Sequence, residues 1–287
     1  MKAINAKTKL MGVMGSPIGH SRSPELHNFL AEQVGLNYRY LAFEPKREDL
    51  KRILEGAKAM GIAGFNITSP FKVDVFSLMD ELSVEAEKMG NVNTVVNQDG
   101  QWVGYNTDGE GFYQSLLRNG FDVSGKHVLL LGTGGTARTL SYKLAQKGAA
   151  SITISSRREN VLKDVTPALS DYPQTALFEG FDREKEYDLI VNCTPMGMAP
   201  NEHVNPMPQG VTYREDMLCC DLIYNPAKTL FLQEAEKQGA RILNGRDMFI
   251  YQGILAFELF TNTKLSKSIC DSVFEKWSII SGGTEEN

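Results

Sequence analysis

The chain has 287 residues, and a prior of roughly 100–200 residues per domain predicts two domains, each large enough to bury a core. Apolar residues make up 42% and charged residues 23%, which is ordinary for a soluble globular protein. The formal net charge of −5 speaks against the basic surface that binding to nucleic acid or an anionic membrane requires.

Signals for secretion, membrane insertion and metal binding are not apparent in the sequence. The N-terminus has no apolar core of signal-peptide length, and no stretch approaches the roughly 20 apolar residues that cross a bilayer. The four cysteines are scattered, which favours a reducing compartment, and the four histidines lack zinc-binding spacing. We therefore expect a cytoplasmic protein without a metal site.

Apolar strand-like runs alternate with helix-period segments along the chain, a pattern typical of α/β proteins with largely parallel sheets. In the first third, we expect strands at 11–15, 38–43 and 62–67 and helices at 24–34, 47–59 and 70–79. A hairpin at Asp99-Gly100 and a helix at 107–119 follow. After a glycine-containing break at 119–125 we expect strands at 128–131, 152–155, 187–192, 218–223 and 241–243, and helices at 135–147, 227–238 and 246–260.

A glycine-rich segment lies between strand 128–131 and helix 135–147. It has the form G-x-G-x-x-A, in which glycines permit a tight turn and close approach of a pyrophosphate, and alanine permits close helix–strand packing. The helix N-terminus presents free N–H groups to phosphates. The alternative is a plain glycine turn. A plain turn would not need a strand before it and a helix and a second strand after it, and all three are expected here. We therefore predict a dinucleotide-binding loop of Gly132, Thr133, Gly134, Gly135, Thr136 and Ala137.

The residues after the second strand of this unit bear on which dinucleotide is bound. An acidic residue there holds the ribose 2′-hydroxyl of NAD. This chain has Ser156, Arg157 and Arg158, and two guanidinium groups suit the 2′-phosphate of NADP. The arginines therefore favour NADP. NAD stays as the alternative, because Glu159 follows them and arginines at a strand end can simply be solvated.

Three polar clusters follow predicted strands in the first half of the chain. The first contains Ser21 and Ser23, of which Ser23 also suits the N-cap of a helix that has proline next. In the second, Ser69 is the predicted N-cap, so that Lys72 falls in the first helical turn, where a cation opposes the helix dipole. A solvated lysine is the alternative.

The third cluster places Asp108 in a first turn, where a carboxylate is favourable, so helix capping explains part of it. Asn93 enters a strand and could equally serve in a turn. A lysine and a carboxylate in one hydrogen-bond network can deliver a proton to a ketone as hydride arrives, which typically contributes about 10²–10⁴-fold. Hydroxyl and amide groups hold a polyhydroxy acid by hydrogen bonds.

These segments, taken together, closely resemble the shikimate dehydrogenase family, including its quinate/shikimate branch. The resemblance runs in order from residue 11 to about residue 260. It rests on the runs 15–24, 66–72, 90–94, 106–109, 132–138, 192–194, 221–226 and 244–252.

The resemblance implies NADPH-linked reduction of 3-dehydroshikimate to shikimate, with Lys72 and Asp108 as the catalytic pair and Lys72 as the acid/base. The implied substrate-side residues are Ser21, Ser23, Asn66, Thr68, Lys72, Asn93, Asp108, Tyr224 and Gln252. The implied cofactor-side residues are the glycine loop, Ser156, Arg157, Arg158, Thr194, Leu222, Gly245 and Met248.

The resemblance also implies a fold of class α/β with two domains and a cleft between them. An N-terminal α/β substrate domain would cover 1–107 and be completed by C-terminal helices 246–287, and a Rossmann-like NADP-binding domain would cover 108–245. The chain departs from the family at two places. The family commonly has Asn-Arg-Thr where this chain has Ser156-Arg157-Arg158, and NADP-specific members often have a second arginine where this chain has Val161.

Three functions remain open at this point. The first is a biosynthetic NADP-linked enzyme, and serine at both Ser21 and Ser23 resembles the type that acts on shikimate. The second is a quinate/shikimate dehydrogenase that accepts NAD. The third is a dinucleotide-binding sensor without activity, since fold alone does not separate an enzyme from a sensor. Intact Lys72 and Asp108 argue against the sensor, which needs no proton-transfer pair.

Overall fold

A computed structural model describes residues 3–156, 160–208 and 211–280. Contacts divide the chain into two compact units. Unit 1 combines the residues up to Thr107 with those from Ile250 onward, and unit 2 consists of Asp108–Phe249. The second boundary falls inside a helix, so one continuous element contributes residues to both units.

Unit 1 is built on a six-stranded sheet of order β2-β1-β3-β5-β6-β4. Its strands are β1 (Lys9–Met14), β2 (Tyr38–Phe43), β3 (Gly64–Ile67), β4 (Glu81–Leu82), β5 (Thr94–Gln98) and β6 (Gln101–Tyr105). Its helices are α1 (Ser23–Gln33), α2 (Leu50–Ala59), α3 (Lys72–Phe76), α4 (Val84–Met89) and α10 (Lys267–Ile280). Strand β1 is parallel to β2 and β3, whereas β5 is antiparallel to both of its neighbours.

Helix α2 covers a core of unit 1 because its apolar residues recur at helical spacing. Leu50, Leu54 and Ala57 are buried and pack with Phe65 and Trp102 in one cluster. Full burial of a leucine side chain contributes roughly 1.5–3 kcal/mol relative to exposure, so these positions hold the helix on the sheet.

Unit 2 is built on a six-stranded sheet whose strand pairings are all parallel, with the order β12-β11-β10-β7-β8-β9. Its strands are β7 (His127–Leu131), β8 (Ser151–Ser155), β9 (Ala176–Glu179), β10 (Leu189–Asn192), β11 (Leu218–Asp221) and β12 (Arg241–Leu243). Its helices are α5 (Asp108–Arg118), α6 (Gly135–Gln146), α7 (Thr166–Leu169), α8 (Leu230–Lys237) and the start of α9 (Arg246–Thr261). Counted within the unit, this order is 3-2-1-4-5-6, which defines the doubly wound dinucleotide-binding fold.

The predicted α/β class and most of the predicted elements are confirmed. Asp99 and Gly100 connect β5 to β6 with positive φ at both residues, as the predicted hairpin requires. The sequence did not reveal β4, α4, α7 or β9. Strand β9 escaped notice because it is a sheet edge and three of its four residues are exposed, so it carries no apolar run.

The predicted N-cap at Ser69 is wrong. The Phe71 N–H donates to the Thr68 carbonyl at 3.0 Å, which closes a turn through Pro70, and α3 begins only at Lys72. Ser23 likewise does not cap its helix, since α1 begins at Ser23 itself and no side chain caps it. In both places the chain makes a tight turn before the helix, and a capping pattern in sequence does not distinguish the two.

Among the described residues, no helix combines the length and the apolar character that crossing a membrane requires.

Helices α1 and α9 enclose a histidine. His27 is fully buried and stacks on Tyr40, with ring centroids 4.1 Å apart and an interplanar angle of 4°. Phe257 lies 6.1 Å away, and within the described part of the chain neither ring nitrogen has a hydrogen-bond partner. Burial lowers the pKa of His27 from 6.5 to about 3, so the ring is neutral in the folded protein.

We expect unit 1 to lose stability as the pH falls below 6.5, because the unfolded chain then binds a proton at His27 that the buried ring does not. The loss is about 1.4 kcal/mol per pH unit and continues down to the folded pKa. Both tryptophans, Trp102 and Trp277, are buried in unit 1. Their fluorescence during urea unfolding at a series of pH values therefore measures the effect.

His27→Phe is the matched control, because phenylalanine keeps a ring in the stack but does not titrate. In this variant the free energy of unfolding should fall less steeply with falling pH over the same range. The difference in slope should correspond to about one proton. Equal slopes for the two proteins would show that another group causes the acid sensitivity.

Candidate active site

One edge of the sheet in unit 1 collects polar residues. Ser21 and Ser23 follow β1, Thr68 and Lys72 follow β3, and Asn93 precedes β5. Because β1 and β3 are parallel and β5 is antiparallel to β3, these positions lie at the same edge. The sheet therefore brings five of the predicted residues to one side of unit 1.

Asn66 lies within β3, opposite Thr94 of β5, and is 6% exposed. Its Nδ2 donates to Thr94 Oγ1 at 3.0 Å and to the Asn93 carbonyl at 3.2 Å. Its Oδ1 accepts a hydrogen bond from the Tyr40 hydroxyl at 2.7 Å. Both ends of the Asn66 amide are therefore hydrogen-bonded inside the sheet.

Asn93 continues this network. Its Oδ1 accepts hydrogen bonds from the Thr107 N–H at 2.8 Å and from Thr94 Oγ1 at 2.9 Å, and its Nδ2 donates to Thr107 Oγ1 at 3.0 Å. The side chain is 2% exposed. A continuous buried network therefore runs from Tyr40 through Asn66 and Thr94 to Thr107, the last residue of unit 1 before Asp108.

Lys72 is the first residue of α3 and is partly exposed. Its carbonyl accepts a hydrogen bond from the Val92 N–H at 3.0 Å, which ties α3 to the segment beside Asn93. The loop after β1 also reaches this place, because a Cβ at Gly15 would collide with Thr68 Cγ2. The loops that carry the two serines and the lysine are therefore held close to each other.

Gln252 lies on α9, next to a point of close helix packing. A Cβ at Gly253 would collide with Leu26 Cδ2 of α1, so the two helices approach closely there. Gln252 is partly exposed.

In unit 2, the glycine-rich segment joins β7 to α6 as predicted. Gly132 has φ of 103°, a conformation that favours glycine, and a Cβ there would lie 2.8 Å from Thr194 Cγ2. Gly134 caps α6, and no atom lies within 4 Å of the position that its Cβ would take. Ala137 is 1% exposed, consistent with tight helix–strand packing. The loop therefore has the open approach that a pyrophosphate needs at a helix N-terminus.

The order of strands reverses between β7 and β10, the place where ligands bind in open α/β sheets. Thr194 follows β10, and both its N–H and its hydroxyl donate to Asn192 Oδ1, at 3.0 and 2.7 Å. The Thr194 side chain therefore stands beside Gly132 at this switch point.

A buried carboxylate holds the loops after β10 and β11. Asp221 is 1% exposed and accepts hydrogen bonds from Asn192 Nδ2 at 3.1 Å, the Ile223 N–H at 3.0 Å and the Thr229 hydroxyl at 2.7 Å. Burial raises the pKa of this carboxyl group, and the hydrogen bonds limit the rise. The backbone around Leu222 is thereby set by Asp221.

Gly245 and Met248 lie in the turn after β12 and at the start of α9, in the same unit. The Gly245 N–H donates to the Ile223 carbonyl at 3.0 Å, and a Cβ at Gly245 would collide with the Leu222 carbonyl. Met248 is 9% exposed, and the Tyr224 ring lies 5.2 Å from that of Phe249. The turn after β12 therefore packs directly on the loop after β11.

Asp108 begins α5 and is 6% exposed. The same helical turn packs on α6, because a Cβ at Gly109 would lie 3.1 Å from Lys143 Cβ. Lys143 forms an ion pair with Glu110 at 3.2 Å, and the lysine side chain is 3% exposed. The helix that carries Asp108 is therefore anchored to the helix that follows the glycine loop.

The described structure divides the residues named from the sequence between the units. Unit 1 contains Ser21, Ser23, Asn66, Thr68, Lys72, Asn93 and Gln252, and unit 2 contains Asp108, the glycine loop, Ser156, Thr194, Leu222, Tyr224, Gly245 and Met248. Arg157 and Arg158 lie outside the described residues. Within the described ranges, no group of three or more His, Cys, Asp or Glu side chains could hold a metal ion.

Several residues of this framework were missed in the sequence. No role was assigned from the sequence to Tyr40, and Thr94 and Asn192 were named only within runs that carry the resemblance. Asn192 and Asp221 did carry a signal, because each is a polar residue that ends an apolar strand. Tyr40 carried none, since its role depends on contacts with α1 and β3.

The strand order and the glycine loop define a dinucleotide-binding protein of the α/β class, and comparison with known proteins makes this specific. Residues 13–95 match the family model described as the shikimate dehydrogenase substrate binding domain. The shikimate dehydrogenase (NADP(+)) of Methanocaldococcus jannaschii is 41% identical over 267 residues, which cover 91% of this chain and 94% of that protein.

Solved structures of similar proteins point to the same family. A crystal structure of shikimate dehydrogenase in complex with NADP⁺ superimposes with a TM-score of 0.87 at 38% identity, covering 96% of this chain and 97% of that one. The Listeria monocytogenes shikimate 5-dehydrogenase, in complex with shikimate and NAD, gives 0.86 at 34% identity, covering 96% and 99%. The chain belongs to the shikimate dehydrogenase family, and the predicted resemblance is confirmed.

Proposed function

We propose that the protein is a shikimate dehydrogenase that catalyses the reversible NADPH-dependent reduction of 3-dehydroshikimate to shikimate. This reaction serves chorismate and aromatic amino acid biosynthesis. The observation that carries the proposal is the 41% identity to a shikimate dehydrogenase (NADP(+)) over 91% of the chain. The polar edge of unit 1 and the dinucleotide-binding fold of unit 2 support it.

Reduction of a ketone needs a hydride at carbon and a proton at oxygen, and bound NADPH supplies the hydride. Lys72 donates the proton to the carbonyl oxygen and takes it back in the reverse direction. Asp108 is assigned as the second member of the catalytic pair. The role of Lys72 is supported by its position after β3 at the polar edge, and that of Asp108 by its burial at the start of α5.

The substrate is an anion that carries several hydroxyl groups. Uncharged donors and acceptors suit such a molecule, because each can pair with a hydroxyl or a carboxylate oxygen. The residues assigned to this task are Ser21, Ser23, Thr68, Asn93, Tyr224 and Gln252, with Asn66 in support.

NADP is the proposed cofactor, and the residues of unit 2 fit it. Open space beside Gly134 and the N-terminus of α6 suit the pyrophosphate, while Thr194, Leu222, Gly245 and Met248 frame the same edge. Ser156, Arg157 and Arg158 are assigned to the 2′-phosphate. NAD is the second candidate, because a structure of a 34% identical relative contains it.

Steady-state kinetics with each pairing of substrate and cofactor tests the proposal. We expect the highest kcat/KM for shikimate with NADP. A preference for NAD would overturn the choice of cofactor, and an equal preference for quinate would favour a quinate/shikimate dehydrogenase. Absence of turnover with every pairing would favour a sensor without activity.

Replacing both Arg157 and Arg158 with alanine tests the cofactor assignment separately. Each hydrogen bond between a guanidinium and a phosphate contributes about 1.5–3 kcal/mol, so the KM for NADP should rise about tenfold or more. The KM for NAD should not change, because NAD lacks the 2′-phosphate. An equal rise for both cofactors would contradict the assignment.

We further propose that the protein is cytoplasmic, acts on small molecules as a monomer or a homodimer, and binds no nucleic acid. Its net charge of −5 supports the last point.

A further inference from the structure

Asn192 is the last residue of β10 and is fully buried, two residues before Thr194. Its Oδ1 accepts hydrogen bonds from the Thr194 N–H at 3.0 Å and from the Thr194 hydroxyl at 2.7 Å. Its Nδ2 donates to the Met196 carbonyl at 2.9 Å. One buried amide therefore holds Thr194, a proposed cofactor-side residue, through both its backbone and its side chain.

The orientation of this amide follows from Asp221 on the neighbouring strand β11. Asn192 Nδ2 donates to both carboxylate oxygens of Asp221, at 3.1 and 3.2 Å. The carboxylate also accepts from the Ile223 N–H and from the Thr229 hydroxyl, so that donors surround it. Because an ionised carboxylate only accepts hydrogen bonds, Nδ2 must face Asp221, and Oδ1 is left on the side of Thr194. Asp221 therefore sets which end of the amide binds Thr194.

The Thr194 hydroxyl makes its hydrogen bonds within its own loop. It gives its single proton to Asn192 Oδ1, and its oxygen accepts from the Met196 N–H at 3.2 Å. The methyl group of Thr194 lies against the glycine loop instead, since a Cβ at Gly132 would be 2.8 Å from Thr194 Cγ2. The contacts with Asn192 therefore direct this methyl group towards the first glycine of the loop that is proposed to bind the pyrophosphate.

We propose that Asn192, anchored on Asp221, is a positioning residue for NADPH binding that holds the Thr194 methyl group against Gly132. The inference rests on the proposed function, in which Thr194 and the glycine loop bind the cofactor. Asn192 is 0% exposed, so it acts through Thr194 and not by contact with the nucleotide. An asparagine that only supported the fold would change stability without a selective loss of NADPH affinity.

Asn192→Ala tests this, because it removes the amide and both of its hydrogen bonds with Thr194. Loss of two hydrogen bonds that order a binding group should raise the Kd for NADPH, measured by nucleotide fluorescence, about 5- to 30-fold. The KM for shikimate at saturating NADP should stay within about twofold of that of the unmodified protein.

Asn205→Ala is the matched control, because Asn205 makes the same kinds of contact elsewhere in unit 2. Its Nδ2 donates to the Glu234 carboxylate, and its Oδ1 accepts from the N–H of Met207, two residues later. No role in cofactor binding is assigned to Asn205, so the Kd for NADPH should equal that of the unmodified protein. Circular dichroism establishes that unit 2 is folded in each variant. A Kd for NADPH in Asn192→Ala that matches Asn205→Ala overturns the inference.

Thr194→Val is a second variant that leaves every contact of Asp221 in place. Valine has nearly the size of threonine and keeps the backbone N–H, but it lacks the hydroxyl that binds Asn192. The Kd for NADPH should rise about 3- to 10-fold. An unchanged Kd for NADPH in Thr194→Val overturns the inference, and this holds also where Asn192→Ala fails to fold.

A double-mutant cycle identifies the route of the effect. If Asn192 acts through Thr194, then adding Thr194→Val to Asn192→Ala should raise the Kd for NADPH far less than Thr194→Val does alone. Fully multiplicative effects of the two substitutions contradict the inference.

The binding measurements need no turnover, so they separate the inference from the proposed reaction. Absence of shikimate turnover in an unmodified protein that still binds NADPH contradicts the proposed reaction, and the Kd values of the variants then decide the inference alone. Absence of NADPH binding in the unmodified protein contradicts both.

Discussion

Replacing Lys72 with alanine should lower kcat for shikimate oxidation by about 10²- to 10⁴-fold, the usual contribution of a positioned proton-transfer group. The alanine variant keeps the sheet edge and the backbone contact with Val92, because that contact uses only the Lys72 carbonyl. The Kd for NADPH, measured by nucleotide fluorescence, should stay unchanged, since the cofactor residues belong to unit 2. Stopped-flow or steady-state assays with saturating NADP measure the loss.

Lys51→Ala provides the matched control. Lys51 is an exposed lysine of α2 in the same unit. Its replacement removes the same charge from a residue that is not assigned to the site. We expect normal kcat for this variant. Near-normal turnover in Lys72→Ala would remove the lysine from the proposed chemistry, whereas equal losses in both variants would point to the net charge.

Gly245→Ala should lower the stability of unit 2 by about 3 kcal/mol and its melting temperature by roughly 10 °C. A Cβ at this position would press on the Leu222 carbonyl oxygen and lie 2.5 Å from the Leu222 carbonyl carbon. Backbone atoms cannot turn aside as a side chain does, so the whole turn after β12 must shift. Calorimetry or circular dichroism is needed, because both tryptophans lie in unit 1.

Gly56→Ala is the control, for which we expect a change in stability of the opposite sign. Gly56 lies inside α2 with no atom within 4 Å of the position that a Cβ would take, so alanine meets no obstacle there. Alanine in a helix interior is favoured over glycine by about 0.5–1 kcal/mol, and this variant should be slightly more stable. If Gly245→Ala proved equally harmless, the close approach to Leu222 would not constrain this turn.

The glycine loop and the strands around it could be predicted because their signals are local. A run such as Val128–Leu131 is apolar whatever the rest of the chain does, and the glycines that follow meet a requirement of the backbone within a few residues. The polar runs at the ends of β1 and β3 could be identified for the same reason. Their joint occurrence in one order led to the family, which the comparisons confirmed.

Helix starts were harder to predict. Ser23 and Ser69 both precede or begin a helix next to proline, a pattern that favours capping. In the folded chain, α1 begins at Ser23 itself without a side-chain cap, and α3 begins only at Lys72. A serine beside proline fits both a helix cap and the turn before a helix, so the local pattern does not show where the helix begins.

The chain order of apolar runs, glycines and polar clusters was therefore sufficient for the α/β class, the dinucleotide loop and the family, because each depends on neighbouring residues. The hydrogen-bond partners of Tyr40, Asn192 and Asp221 were not accessible in this way. Each joins elements separated along the chain, and its partners become neighbours only when parallel strands place their ends at one edge. Long-range pairing of strands and helices, which no short segment encodes, is the physical source of that difference.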